Sequence, residues 1–129
     1  MHKPIPGKLN LLSGKIVHAA YQVHYELGPG LLESVYELCL HHELRNIGLK
    51  AERQVPVPVK YKDMVFDDAF RIDVLIEDQI IVELKAVEAL QPIHEAQLLT
   101  YLKLTGRRIG LLINFNVPVM KDGIQRVVL

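Results

Sequence analysis

Residues 71–86 read RIDVLIEDQIIVELKA, and this stretch decides the fold. Two largely apolar runs, 72–76 and 80–82, flank the polar tripeptide Glu-Asp-Gln. Short runs rich in β-branched residues, broken by a polar turn, are typical of an antiparallel hairpin. With the turn centred on Asp78, Ile76 faces Ile80, and the pairing continues outward from there. The stretch therefore predicts two adjacent antiparallel strands.

The same register places two carboxylates opposite each other, Asp73 on one strand and Glu83 on the other. Lys85 lies on the face of Glu83, because side chains alternate between the two faces of a strand. Facing carboxylates repel by roughly 0.2–1 kcal/mol, and a divalent cation between them would remove that repulsion. The hairpin therefore predicts a metal site. A solvated strand face can carry the same three residues, and the hairpin by itself favours that simpler interpretation.

Composition indicates one globular domain spanning residues 1–129. Half of the 129 residues are apolar, which is enough for a substantial core. The 15 basic and 15 acidic residues give no net charge, which argues against a general nucleic-acid coat protein. The single Cys39 excludes an internal disulfide framework and a Cys-rich zinc site. With neither a long apolar run nor a signal-peptide pattern, we expect a cytoplasmic protein.

The hydrophobic pattern predicts the element order α α β β β α β β. Helices are predicted at 12–27, 31–46 and 93–105, and strands at 54–60, 65–76, 80–86, 108–114 and 124–129. Pro56 and Pro58 remove donors from one side of the first strand, which indicates an edge strand. The run at 108–114 indicates a strand buried on both faces. The fold class is therefore α/β, with helices covering a hairpin-based sheet.

Two helices carry a polar stripe. In the last helix His94, Gln97 and Tyr101 stand at steps of three and four, so they line one face. In the second helix Glu33, Tyr36 and Glu37 form a similar stripe, while Leu31, Val35, Leu38, Cys39 and Leu44 are predicted to point inward. By itself, an acid at position 33 is explained by its place in the first helical turn, where it complements the helix dipole.

Residues 30–36, GLLESVY, resemble the Gly-x-x-Glu-x-x-Tyr (GxxExxY) signature of a family of small bacterial and archaeal proteins. That family is placed within the PD-(D/E)XK nuclease superfamily. The resemblance covers nearly the whole chain, through ELGPG, VPVPVKY, VELKAVEALQPIHEAQLLTYLK and GLLINFNVP. It implies a restriction-endonuclease-like fold, in which a mixed sheet flanked by helices is built on an α-β-β-β-α-β core.

The resemblance also implies roles for individual residues. Asp73 corresponds to the metal-binding acid of the second strand, although Ile72 stands where the superfamily pattern has proline. Glu33 is similar to the additional helical acid of the lambda-exonuclease and RecB-like branch. The remaining positions are Glu83 and Lys85 as the acid and lysine of the third strand, and Gln97 and Tyr101 as a Gln-x-x-x-Tyr motif. Oxygen ligands without a cysteine cluster favour Mg²⁺ or Mn²⁺ over Zn²⁺.

These observations leave two main functional hypotheses. The first is a Mg²⁺-dependent hydrolase of the deoxyribonuclease type, with Glu33, Asp73 and Glu83 at the metal and Lys85, Gln97 and Tyr101 at the reacting phosphate and water. The alternative is a non-catalytic module that binds nucleic acid or a protein on the same fold. A purely structural partner protein has no sequence feature of its own. Because a small neutral chain offers few phosphate contacts, we also expect a homodimer, which could join two basic edges near Arg107-Arg108 and Lys60-Lys62.

Overall fold

The computed structural model describes residues 3–129, and its elements follow the predicted order. The helices are α1 (Gly7–Leu27), α2 (Glu33–Asn46) and α3 (Pro92–Thr105). The strands are β1 (Ala51–Tyr61), β2 (Met64–Ile76), β3 (Ile80–Lys85), β4 (Ile109–Asn114) and β5 (Ile124–Val128). A short 3-10 turn, Met120–Gly123, was not predicted. The predicted bounds lie close to these, except at the starts of α1 and β1.

The five strands form one mixed sheet in the order β1-β2-β3-β4-β5. All neighbouring pairs are antiparallel except β3 and β4, which are parallel. Parallel neighbours need a crossover connection, and α3 supplies it. The prolines of β1 lie at the sheet edge, as predicted, and every residue of β4 is buried. The α/β fold class is confirmed.

The helices cover both faces of the sheet, and the alternation of β3 shows which face each helix covers. Ile80, Val82 and Leu84 pack in one core with residues of α1 and α2. Ile81 packs in a second core with Leu98 and other residues of α3. The apolar residues of β3 therefore join the two cores, and this strand lies at the centre of the three layers.

Two details of the first helices differ from prediction. Helix α1 begins at Gly7 because the Pro6 carbonyl accepts the amides of Leu9 and Asn10, and Leu9 is buried. In α2 the buried stripe is rotated, so that Leu38 is exposed, and Leu31 lies before the helix and is exposed as well. Its buried members are instead Tyr36, Glu37, Leu40 and Leu44. Two members of the predicted polar stripe, Tyr36 and Glu37, thus belong to the buried face of α2.

The central hairpin has the predicted register. Ile76 pairs with Ile80, and Val74 with Val82, around the turn at Asp78. Strand β2 is also irregular near Asp67, where its pairing with β1 shifts. None of the helices among residues 3–129 is long and apolar enough to span a membrane.

Candidate metal centre

The pairing between β2 and β3 ends just before the two predicted acids. Val74 opposite Val82 is the last pair of this ladder, whereas β3 continues beside β4 as far as Lys85. Beyond that pair, the Leu84 amide donates a hydrogen bond of 2.9 Å to Asp73 Oδ2. A side-chain carboxylate thus binds a strand amide where the β2–β3 ladder no longer continues. The two strands separate at Asp73, and the gap between them contains its carboxylate.

Strand β2 also changes faces at this point. Val74 and Ile76 pack in the core beneath α1 and α2. Regular alternation would place Ile72 in the same core, but Ile72 packs in the α3 core. The strand therefore twists about Asp73, which explains how its carboxylate comes to lie between the strands.

Glu83 lies buried beside this carboxylate. Its side chain belongs to a residue only 6% exposed, and Oε1 has no hydrogen-bond partner among the described residues. Burial raises the pKa of Glu83 to about 10, with a further contribution from the charge and hydrogen bonding of Asp73. The two carboxyl groups therefore meet, as predicted from the register. At neutral pH the pair retains a proton on Glu83 when no cation is present.

Glu33 is the first residue of α2 and approaches the pair from the helical side. Partial burial raises the pKa of its carboxyl group, the charge of Asp73 raises it further, and the charge of Lys85 lowers it. The side chain remains exposed to solvent. Glu33 is thus a neighbour of Asp73 and Lys85, at the open side of the site.

Tyr36 explains why α2 begins where it does. Its hydroxyl donates to the Gly28 carbonyl at 2.6 Å and accepts the Leu31 amide at 3.0 Å. The ring is fully buried and stacks on Phe115, with centroids 4.6 Å apart. Gly30 has a φ of +99°, which residues with a side chain rarely adopt. In the segment 30–36, Gly30 therefore allows the backbone to turn, and Tyr36 holds the loop through its two hydrogen bonds. Glu33 lies between them, near the two acids.

Tyr101 and Gln97 approach the site from α3. Burial raises the pKa of Tyr101, the charges of Glu83 and Asp73 raise it further, and a hydrogen bond with Gln97 lowers it. The Tyr101 ring stacks on Phe70 of β2, with centroids 4.0 Å apart. Tyr101 of the predicted face therefore lies beside the two acids, with Gln97 hydrogen-bonded to it. His94, the third member of that face, instead accepts the Gln91 amide at 3.0 Å and caps the start of the helix.

Lys85 ends β3 and is half-buried, and its position is fixed by a residue that the sequence analysis did not single out. Asn114 pairs with Lys85 in the parallel ladder and is buried. Its side chain accepts the Val87 amide at 3.1 Å and donates to the Val87 carbonyl at 2.9 Å. These bonds hold the chain immediately after the lysine. The sequence does carry one signal for Asn114, because it is a single polar residue at the end of an otherwise apolar strand.

Glu37, which the sequence placed in the polar stripe of the second helix without a role, is only 5% exposed. Arg53 binds its Oε2 through Nη2 at 2.9 Å and Nε at 3.1 Å, and Gln54 donates to its Oε1 at 2.8 Å. Gln54 Nε2 also lies 3.4 Å from Asp73 Oδ1. Glu37 thus connects α2 to the predicted site through β1. Its partners lie on a later strand, so helical spacing could not reveal them.

The residues present fit a divalent cation of the Mg²⁺ type. Among residues 3–129 no three Asp, Glu, His or Cys side chains form a complete metal-binding group. Mg²⁺ does not need one, because proteins usually hold it with one or two carboxylates, and waters and substrate phosphates complete its shell. The pair of Asp73, which is half-buried, and Glu83, which is buried with one unpartnered oxygen, matches that pattern. Glu33 lies beside this pair rather than within a preformed set of three ligands.

Comparison with known proteins agrees with this geometry. The family model for the PD-(D/E)XK nuclease superfamily matches residues 10–127. No curated protein sequence matches the chain. Nucleases of this superfamily generally use divalent metal ions, in accord with the paired acids between β2 and β3. With a match that covers nearly its whole length, the chain belongs to the PD-(D/E)XK nuclease superfamily.

Proposed function

We propose that this protein hydrolyses phosphodiester bonds in nucleic acid, with DNA as its substrate, and uses Mg²⁺ or Mn²⁺ held by Asp73 and Glu83. The observation that supports this most strongly is the unpartnered Oε1 of Glu83, buried against a second carboxyl group. Leaving a buried acceptor unpaired costs about 1–3 kcal/mol. A bound cation that displaces the Glu83 proton would give that oxygen a partner and so remove this cost.

The bound metal would polarise the scissile phosphate and lower the pKa of a coordinated water. The protein's own contribution begins with Glu83, which must lose its proton to become a ligand. The Leu84 amide holds Asp73 Oδ2 and so fixes the direction of that carboxylate. Glu33, at the open side, is placed to bind a water of the metal or the metal itself.

Lys85 is the residue we assign to the transition state. It lies close enough to Glu33 and Glu83 for its charge to lower the pKa of both. A fixed cation there can orient the attacking water and offset the charge that develops on the phosphate. Gln97 and Tyr101, on the α3 side, supply hydrogen-bonding groups that can position the phosphate or the water.

Two observations favour the alternative, a non-catalytic module that binds nucleic acid or protein. The chain has no net charge, and phosphate contacts dominate nucleic-acid affinity. In addition, Arg107 and Arg108 are engaged within the chain, Arg107 with Asp78 and Arg108 with the Leu129 carbonyl. Part of the donor capacity of these two arginines is therefore already used within the chain.

The deciding experiment is single-turnover cleavage of mixed DNA and RNA substrates in Mg²⁺, Mn²⁺ and Ca²⁺, with Asp73→Ala as the inactive control. We expect cleavage by the wild type in Mg²⁺ or Mn²⁺ and none by the variant. Ca²⁺ should support binding without cleavage. Binding without turnover in any metal would favour the non-catalytic module instead.

We also propose that the chain forms a homodimer through the outer part of the β1–β2 hairpin. Tyr61, Met64, Val65 and Phe66 are about half exposed there, and this ribbon lies beyond the part of β2 that pairs with β3. An isolated two-stranded hairpin is only marginally stable in water, which favours a covering partner. Sedimentation of Phe66→Glu beside the wild type tests this, and a monomeric wild type at tens of micromolar would refute it.

A further inference from the structure

Gln54 has a backbone conformation that its position in a strand does not explain. Its φ is +53°, within the left-handed region that residues other than glycine rarely adopt. Consecutive residues of a regular strand point to opposite faces. Here Arg53 and Gln54 both bind the same carboxylate, that of Glu37. The left-handed residue has turned two neighbouring side chains to one side of the sheet.

Strand β1 changes faces at Gln54, as β2 does at Asp73. Arg53 reaches a residue of α2, whereas Val55 and Val57 pack in the core beneath α3. Gln54 and Asp73 lie opposite each other, between the pair Arg53–Val74 and the pair Val55–Ile72. Both strands therefore twist at the same level of the sheet. That is also the level at which β2 leaves β3 and the gap for the two acids opens.

We propose that Gln54 is a positioning residue for Asp73: its amide ties the Asp73 carboxylate to the buried Glu37, and its left-handed backbone turns β1 with β2 at the site. The amide nitrogen of Gln54 lies 2.8 Å from Glu37 Oε1 and 3.4 Å from Asp73 Oδ1. The metal-binding part of this role rests on the proposed function, because a fixed carboxylate matters most to a bound cation.

Each oxygen of Asp73 then has its own protein donor. Leu84 N–H binds Oδ2 from β3, and the Gln54 amide approaches Oδ1 from β1. Two donors on opposite sides prevent the carboxylate from rotating. Glu37 cannot follow Asp73 if it moves, because Arg53 holds its other oxygen with two N–H groups. Partners that orient a metal ligand in this way typically change metal affinity 10–100-fold when removed.

The test compares Gln54→Gly with Lys62→Gly in the full chain. Lys62, at the β1–β2 turn, has nearly the same φ of +54° and lies away from the two acids. Both substitutions relieve a left-handed backbone, so Lys62→Gly controls for that change alone. Only Gln54→Gly removes the amide. Gln54→Glu serves as a third variant, because it keeps the side-chain length but cannot donate to a carboxylate.

Two readouts are needed, crystal structures of the metal-free variants and Mn²⁺ affinity by calorimetry. We expect Gln54→Gly to let the Asp73 carboxylate rotate away from the Leu84 amide and to weaken Mn²⁺ binding about 10–100-fold. Lys62→Gly should change neither. An unmoved Asp73 in Gln54→Gly would overturn the inference, as would wild-type Mn²⁺ affinity in that variant. If the wild type binds no Mn²⁺, the proposed function fails, and the crystal structures still decide the role of Gln54.

Discussion

The hairpin of β2 and β3 has two halves that differ sharply in structure. In the closed half, residues 74–82, the ladder is regular, and Val74, Val82, Ile76 and Ile80 are fully buried. In the open half, residues 71–73 and 83–85, the ladder has ended and a side chain binds the Leu84 amide. The closed half contributes apolar burial, whereas the open half contains an unpartnered buried oxygen. Stability and proposed chemistry thus occupy adjacent parts of one hairpin.

The difference has a physical cause. A regular ladder satisfies every inward backbone group and leaves no room for a ligand between the strands. Where β2 twists away, its carboxylate takes over one of those hydrogen bonds, and the space that opens lies beside Glu83. The twist is possible because β1 turns with β2 at Gln54. A site of this kind requires an interruption of the sheet, and this interruption lies next to fully buried pairs such as Val74 and Val82.

The largest effect is expected from Lys85→Ala in the open half. Removing the fixed charge should lower the single-turnover cleavage rate by about 10²–10³. Mn²⁺ affinity should stay similar or rise, because a positive charge beside the metal is lost. Lys85→Arg should restore little activity, because a planar guanidinium does not replace a compact ammonium group.

The matched measurement for Lys85→Ala is DNA affinity in Ca²⁺. If cleavage falls while affinity changes little, the lysine acts in the transition state. A loss of affinity alone, with a salt dependence reduced by about one phosphate contact, would indicate a binding role and contradict our assignment.

The next largest effect is expected from Glu83→Gln, which should increase the stability of the metal-free protein. The folded chain holds the Glu83 proton up to about pH 10, whereas the unfolded chain releases it near its ordinary value of 4.5. This contribution to stability is therefore complete below about pH 4.5 and is lost as the pH rises toward 10, by at most about 1.4 kcal/mol per pH unit. The variant carries no such proton, so its stability should depend less on pH.

We expect Glu83→Gln to be more stable than the wild type at pH 8 by about 1–3 kcal/mol, and to bind Mn²⁺ poorly. Urea unfolding at pH 5 and pH 8 measures both the gain and its pH dependence. Glu77→Gln is the control, because that glutamate lies on the same hairpin and is exposed. Equal stability of variant and wild type at both pH values would show that Glu83 is not under strain.

The smallest effect belongs to the closed half. Ile76→Val removes one methylene from a fully buried side chain and should cost about 0.5–1.5 kcal/mol. Mn²⁺ affinity and cleavage should remain at wild-type levels, since the regular ladder does not contact the metal. A clear fall in Mn²⁺ affinity, measured at a temperature where the variant is fully folded, would show that the two halves are coupled.

Much of the fold could be predicted because its signals are local. The polar tripeptide fixed the register of Ile76 against Ile80, and the two prolines placed β1 at the edge. Continuous apolarity correctly indicated that β4 is buried on both faces. In contrast, the buried face of α2 was predicted incorrectly, because Tyr36 and Glu37 are buried through bonds to distant segments that periodicity does not report.

The candidate site also has a part that could be predicted from the sequence and a part that could not. Strand alternation brought Asp73 and Glu83 together correctly, since a facing pair follows from the register alone. It could not show that the ladder stops before them, because the twist depends on a left-handed Gln54 in another strand. Nor could it identify Asn114, whose side chain holds the segment after Lys85. Side chains that support a site from neighbouring elements cannot be recognised from the spacing of residues within one strand or helix.

The most direct test of the central claim is calorimetric titration of the wild type with Mn²⁺ at pH 7.5, in buffers that differ in ionisation enthalpy. A cation held by Asp73 and Glu83 must displace the Glu83 proton, so we predict release of about one proton for each Mn²⁺ bound. Glu83→Gln should lose that release together with most of the affinity, and Glu77→Gln should retain both. No Mn²⁺ binding up to tens of millimolar, or binding without proton release, would contradict the account.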